Sequence, residues 1–378
     1  MLSRVLALAA LVLPSTAFIT CSVLSYGAVA DNSTDLGPAL TKAWNSCVIP
    51  QATTVATDVL LYVPAGNYLL KTNVVFNGAK NWNLHIAGNI YLPYIPTLTG
   101  TMLTFQNCQN ILLNGPGAIF GNGYRYRPGG DLGLHPSRPR LIRFQDCNNC
   151  EITAVTLYDA PQFHVTIIGN NNVAHNMAII ATNIGTTDGF DISGNNNYVH
   201  DVSVENGECL SSSLLSCVTV KTPTNGFVGE NIRCKFTSGC NIGSFGSANT
   251  AVDVRNVRYN NVTISNSDAG VMIKAYPNNV GTVTNITYTG FTFVTMQPAD
   301  INAFWMGDGV DTGKLSISDV SFSNFVGTGT PTRPAVLLNC NKATPCKNIK
   351  FSGISISGAK ANSFTNACGS GVTGIPAC

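Results

Sequence analysis

Charge is what this sequence has least of. Its 378 residues hold 21 Lys and Arg and 19 Asp and Glu, 11% in all, against roughly 25% in an ordinary soluble protein. The formal net charge of +2 supplies neither a basic field for nucleic acid nor an acidic tail, so a nucleic-acid partner is excluded. Beyond the first residues no apolar run approaches the roughly 20 residues needed to span a bilayer, so no membrane partner is expected. Metal signatures are also missing. Cys147-Asn-Asn-Cys150 has no second CxxC or HxxxH to complete the four ligands of a zinc site, and there is no Asp-rich calcium cluster. No metal and no cofactor is expected. Disorder is excluded as well, because 44% apolar residues can bury enough surface to offset the entropy of ordering.

What is present begins with a targeting segment. Arg4 opens it, residues 5–13 form a short apolar run, and Pro14 precedes the small residues Ser15-Thr16-Ala17. A run this short reads as a signal peptide over residues 1–17, cleaved after Ala17, and implies secretion. All 13 Cys lie beyond that point. In a secreted chain they read as a disulfide framework with at least one thiol left over by parity. Asn32-Ser-Thr, Asn261-Val-Thr and Asn285-Ile-Thr are glycosylation acceptors.

Past residue 100 a weak repeat emerges. Each unit is a short β-branched run, a turn rich in Asn, Gly or Asp, and a second run. Tyr198-Val-His-Asp-Val-Ser-Val, Val254-Arg-Asn-Val-Arg-Tyr and Lys347-Asn-Ile-Lys-Phe-Ser-Gly-Ile are examples. Units start roughly 22 to 34 residues apart, within the range of solenoid repeats. The runs alternate with period two, so they are strands. The residues between them tolerate positive φ, so they mark tight bends. One such coil cannot bury its inner face, but stacked coils share a core. An all-β, right-handed parallel β-helix follows, as one domain over residues 18–378, because no Pro/Ser-rich linker interrupts it. Residues 35–47 form the one good amphipathic helix, with Leu40, Ala43, Trp44 and Cys47 at helical spacing, and should cap one end. Cys340/Cys346 and Cys368/Cys378 suggest a stapled cap at the other. Tyr288, Phe291 and Phe293 read as core stacks.

With acids so scarce, their clusters stand out. Asp188-Gly-Phe-Asp191 sits at a turn-to-strand junction, and Glu205-Asn-Gly-Glu208-Cys209 follows about one coil later. That offset would set Asp188 and Glu208 on neighbouring rungs. Another coil on comes Thr237-Ser-Gly-Cys240-Asn-Ile-Gly, and two coils on Val271-Met-Ile-Lys274. Two carboxyl groups are what glycoside hydrolysis requires: one protonates the leaving oxygen, the other activates water or attacks the sugar. Crowding raises a carboxyl pKa and keeps the acid protonated. A neighbouring cation can hold an acidic sugar.

The strings TTDGFD, SGCNIGSFG and MIK, in this order and spacing, resemble glycoside hydrolase family 28, the pectin-cleaving polygalacturonases and their relatives. Within it they are most similar to the fungal rhamnogalacturonan hydrolase branch. Asp159-Ala-Pro-Gln-Phe-His, Val218-Thr-Val-Lys-Thr-Pro and Cys340-Asn-Lys-Ala-Thr-Pro-Cys support the likeness, which runs from about Cys21 to the end. The resemblance implies a secreted hydrolase of the galacturonate–rhamnose backbone, acting with inversion and without metal. Asp188 and Glu208 would be catalytic, and Asp191, Lys221 and Lys274 substrate-binding. Polygalacturonases carry Gly-His-Gly and Arg-x-Lys, where this chain has Ser238-Gly-Cys240 and Met272-Ile-Lys274. A polygalacturonase acting on homogalacturonan is therefore the alternative.

One departure falls in the site. The family's continuous acid-acid-Cys-Val-Thr-Val-Lys is split here by residues 210–217. Aligned on Cys209, Glu208 is kept and Gly207 replaces the other acid. Aligned on Cys217, Leu215 and Ser216 replace both. A catalytically impaired homologue that only binds pectin is thus a third reading, and a pectate-lyase-type elimination a fourth. Arg125, within Tyr124-Arg125-Tyr126-Arg127, is assigned to substrate binding, since Arg grips uronates and Tyr stacks on sugar rings. Arg138, Arg140 and Arg143 form a second group. His164 is read as structural. A capped, glycosylated solenoid is most simply a monomer, with a pectic polysaccharide as its partner.

Overall fold

A computed structural model describes residues 19–52, 59–126, 137–182, 187–206, 216–246, 251–305, 311–367 and 371–375. The signal-peptide segment and Cys368/Cys378 fall outside them. All paired strands run parallel, each bonded to the coil before and the coil after. The chain winds as a parallel β-helix whose coils have three faces.

Strand Phe190–Asn206 shows how one coil is built. Phe190 and Ile192 point inward on the first face, both with no exposed surface. The chain bends at Gly194 and Asn196, presents Val199 to the core on the second face, bends again at Asp201, and places Val202 and Val204 inside on the third. The bends repeat in register. Asn176, Asp201, Asn231 and Asn261 stack over one another, all left-handed with φ between 51° and 54°. Asn and Asp tolerate this conformation better than other non-glycine residues. Their side chains then bond up the stack: Asn231 Nδ2 donates to Asp201 Oδ1 at 3.0 Å and Asn261 Nδ2 to Asn231 Oδ1 at 2.7 Å.

Inside, like residues stack along the axis. Tyr259, Tyr288, Phe322 and Phe351 form one column with ring centroids 4.8–5.5 Å apart. Phe291 and Phe293 are buried beside it, as expected. The capping helix is longer than the expected 35–47. It runs Leu36–Ala43, widens through a π-turn at Trp44–Val48, and continues through Ile49–Ala52. Asp35 is its cap, not its first turn, accepting from the Gly37 amide. Trp44 closes the core against Phe76 and Trp82, and Cys47 is tied to Cys21. Three further disulfides join Cys108–Cys147, Cys217–Cys234 and Cys340–Cys346. Cys150 and Cys240 remain as buried thiols. The CxxC is drawn in by the Cys108–Cys147 bond, with Cys150 Sγ 3.8 Å from Cys108 Sγ. Among the described residues no helix is long and apolar enough to cross a membrane.

Candidate active site

Asp188 sits on the turn entering the first face, just before Phe190. His164 fixes that turn from below. Its Nε2 accepts the Ala160 amide at 3.1 Å, so the ring proton belongs on Nδ1, which donates to the carbonyls of Thr187 and Asp188 at 3.1 Å each. Burial pushes His164 down to about 4, so it stays neutral. It is a structural residue, as the sequence suggested.

The Asp188 carboxyl is buried, and its Oδ1 accepts the Ser216 amide at 2.7 Å. Burial first, and then the nearby Asp191 charge, push Asp188 up to about 7, against the opposing pull of Lys221 and Lys274. Asp191 lies three residues on, its carboxylate 3.4 Å from the Lys221 ammonium. Burial pulls Lys221 down, but Asp191 and Asp188 more than offset it and hold its pKa up. Lys274 reaches the same spot from two coils further. Its Nζ lies 3.4 Å from Ser216 Oγ and 4.9 Å from the Trp305 ring centroid. Burial, then the Lys221 charge among opposing acids, pulls it down to about 8. Asp188, Asp191, Lys221 and Lys274 are therefore brought together as the sequence proposed. Lys274 comes one coil after Gly243, not two, since those residues pair directly.

Arg125 makes its contact elsewhere. It lies on the short 3-10 turn Gly123–Tyr126, with its guanidinium 5.7 Å over the Tyr94 ring. Glu208 lies outside the described residues. What the described residues do settle is the register around it: Gly189 donates to the Ser216 carbonyl, Phe190 pairs with Val218, and Cys217 is held to Cys234. The rung next to Asp188 is thus occupied by Ser216, 28 residues on. Its hydroxyl accepts from Asn241 Nδ2 at 2.8 Å, and Ser238 Oγ lies 3.5 Å away.

The floor around these groups is a single ladder, Thr166–Asp191–Thr219–Asn241–Met272–Asp300, one residue per coil. Four of its six members carry a buried oxygen with no hydrogen-bond partner in the protein, Thr166 Oγ1, Thr219 Oγ1, Asn241 Oδ1 and Asp300 Oδ1, while Asp191 Oδ1 faces the Lys221 ammonium at 3.4 Å. Buried polar atoms are almost always bonded, so a row of bare ones along an outward face marks a surface shaped for a polar ligand. Arg140 adds an unpartnered buried Nε and senses the Asp191 charge. Burial pushes Asp300 up to about 7, opposed by Arg333 and Lys274. Sequence reasoning missed Thr219, Asn241 and Asp300 as site residues; counting one coil from each identified residue was the signal that finds them.

The comparisons decide what such a site belongs to. The profile of Glycosyl hydrolases family 28 matches residues 54–373. The chain belongs to this family. It is a glycoside hydrolase on a parallel β-helix. Among curated relatives, Rhamnogalacturonase A of Aspergillus aculeatus is 35% identical over 89% of this chain and 72% of its own. Probable rhamnogalacturonase A of Aspergillus niger is 34% identical over 92% and 74%. Among solved structures, endo-xylogalacturonan hydrolase from Aspergillus tubingensis has the same fold, with a TM-score of 0.78 at 22% identity over 96% of this chain and 99% of that one. Family membership makes the register informative. The Val218-Thr-Val-Lys221 run that follows the acidic pair in the resembled motif here follows Cys217, so Ser216 stands where a carboxylate is expected.

Proposed function

We propose that this hydrolase is secreted and cuts the galacturonate–rhamnose backbone of rhamnogalacturonan with inversion. The observation that carries the reading is the pairing of a protonated acid with buried cations: Asp188, up at about 7, beside Lys221 and Lys274. At mildly acidic pH Asp188 holds a proton and delivers it to the glycosidic oxygen as the bond breaks. Lys221 and Lys274 take the galacturonate carboxylate. Asp191, ion-paired to Lys221 through Oδ1 at 3.4 Å, orients that cation for the sugar. Glu208 takes a proton from the attacking water, whose oxygen adds to the anomeric carbon from the opposite side. The relatives named as rhamnogalacturonases support this substrate over homogalacturonan.

The test is reducing-end release from de-esterified rhamnogalacturonan, with homogalacturonan in parallel. Release from the first alone, lost in Glu208→Gln, supports the reading. The serine at the neighbouring rung favours one other reading, a homologue that binds pectin without cutting it. Binding to folded protein without release would select it.

A further inference from the structure

Three arginines set close together in the sequence, Arg138, Arg140 and Arg143, have no part in the mechanism above. Two of them stand on the rows that carry the acids of the site. Arg143 pairs with Thr166, and Thr166 with Asp191, so Arg143 lies on the floor two coils before Asp191. Arg140 precedes Ile142 by two residues, as Asp188 precedes Phe190. Ile142 pairs with Val165, and Val165 with Phe190. Arg140 is therefore two coils before Asp188, with Phe163 on the coil between and its guanidinium 5.1 Å over that ring. Two coils span roughly 10 Å at the usual strand spacing.

The two arginines carry charge that no carboxylate answers. Arg143 Nε donates to the neutral Gln145 Oε1 at 3.0 Å, and Arg140 Nε is buried with no partner. Neither forms an ion pair among the described residues, and Asp191 faces the Lys221 ammonium at 3.4 Å. Burial, then the like charge of Arg143, pulls Arg140 below the usual arginine range, against the pull of Asp191. Guanidinium groups gathered in this way suit an anion that arrives from outside. The coil between them and the acids offers no cation to the cleft, only the Phe163 ring and the Thr166 hydroxyl. Lys221 and Lys274 come from coils on the far side of Asp188. Charge along the cleft thus runs cation, neutral, cation. Beyond Arg143 the same row continues as Thr104 and Val75, which are neutral.

We propose that Arg140 and Arg143 form a second uronate subsite, which takes the next galacturonate of a chain whose first sits at Lys221 and Lys274. The neutral rhamnose between them lies over Phe163 and Thr166. This rests on the reading of the site as a rhamnogalacturonan hydrolase and names how that backbone is selected. Homogalacturonan bears a carboxylate on every sugar. It would set one over the neutral coil, beside Asp191, where no cation meets it.

The test is affinity electrophoresis in an Asp188→Asn background, so that no turnover intervenes. One gel holds de-esterified rhamnogalacturonan, and the other the same polymer with its uronates reduced to neutral galactose. Arg140→Gln/Arg143→Gln should weaken binding about tenfold in the acidic gel and leave the neutral gel unchanged. Arg140→Lys/Arg143→Lys keeps the charge and should recover part of the loss. Equal retardation of parent and glutamine variant in the acidic gel would overturn the subsite and leave the site reading standing. Equal losses in both gels, or a lysine pair no better than the glutamine pair, would assign the arginines to packing and overturn it too. A folded parent retarded in neither gel would overturn both readings.

Discussion

Two ladders on the same coils behave in opposite ways. At the corner, Asp201, Asn231 and Asn261 bond to one another rung by rung. On the first face, Thr166, Thr219 and Asn241 occupy comparable rungs and leave oxygens buried without a partner in the protein. Both ladders are polar and both follow the same period. The corner row completes itself, and the floor row does not. Polar groups are rarely buried without a partner, so the floor offers oxygens that the protein itself leaves for a ligand. The comparison separates residues that hold the solenoid together from residues kept for use.

The sharpest way to break that contrast is Asp188→Asn. Replacing the acid with an amide of the same shape should lower kcat about 10²–10⁴-fold while leaving the melting temperature near pH 4 close to that of the wild type. Full activity would show that another group protonates the leaving oxygen. At the corner the expectation is reversed. Asn231→Ala removes one rung-to-rung bond, strands its neighbours, and puts a Cβ-bearing residue without local hydrogen bonds at φ 54°. It should cost about 2 kcal/mol of stability, read by denaturant melts, with kcat unchanged.

pH sharpens the comparison next. Asp188 and Asp300 are both raised in the folded state to about 7 from an unfolded value near 3.8. Between those values the folded chain keeps protons that the unfolded chain has released. Stability therefore falls as pH rises through that window, and the loss is complete above 7. Activity that needs protonated Asp188 should decline through the same upper limit. Asp300→Asn removes its share of the loss, so its melting temperature should exceed the wild-type value at pH 8 and match it near pH 4. Equal melting temperatures at pH 8 would mean that Asp300 is not buried as a charge. The smallest effect is expected for Thr219→Val. Deleting an unpartnered hydroxyl should leave stability unchanged or slightly higher, while KM rises. A clear loss of stability would show that the floor is not bare.

Much of this was legible in the sequence because the β-helix repeats. Alternating runs and turn residues gave strands, corners and the inward stacks of Tyr288, Phe291 and Phe293, since every coil states the same pattern again. Asp188, Asp191 and Lys274 stood out because charge is otherwise scarce, and Lys221 came from the family resemblance of its Val218-Thr-Val-Lys run. The helix beyond Cys47 was not legible: a π-turn at Trp44–Val48 lets it continue into Ile49–Ala52, past the residue where regular spacing stops. The floor residues were hidden for a different reason. Thr219, Asn241 and Asp300 look like any polar residue of a strand until the coils are aligned, and their chemistry lies in the partners they lack.

The sequence by itself determined the family, the parallel β-helix and the identity of the buried acid and cations, because these rest on local pattern and on residue types at fixed spacing. Only the tertiary structure decided which residue stands beside Asp188. Two cysteines, Cys209 and Cys217, offered two alignments, the first keeping Glu208 and the second replacing both acids. The pairing of Phe190 with Val218 sets Ser216 on the rung beside Asp188. A strand's register is set by what it packs against, and a shift of even one residue turns every side chain to the other face.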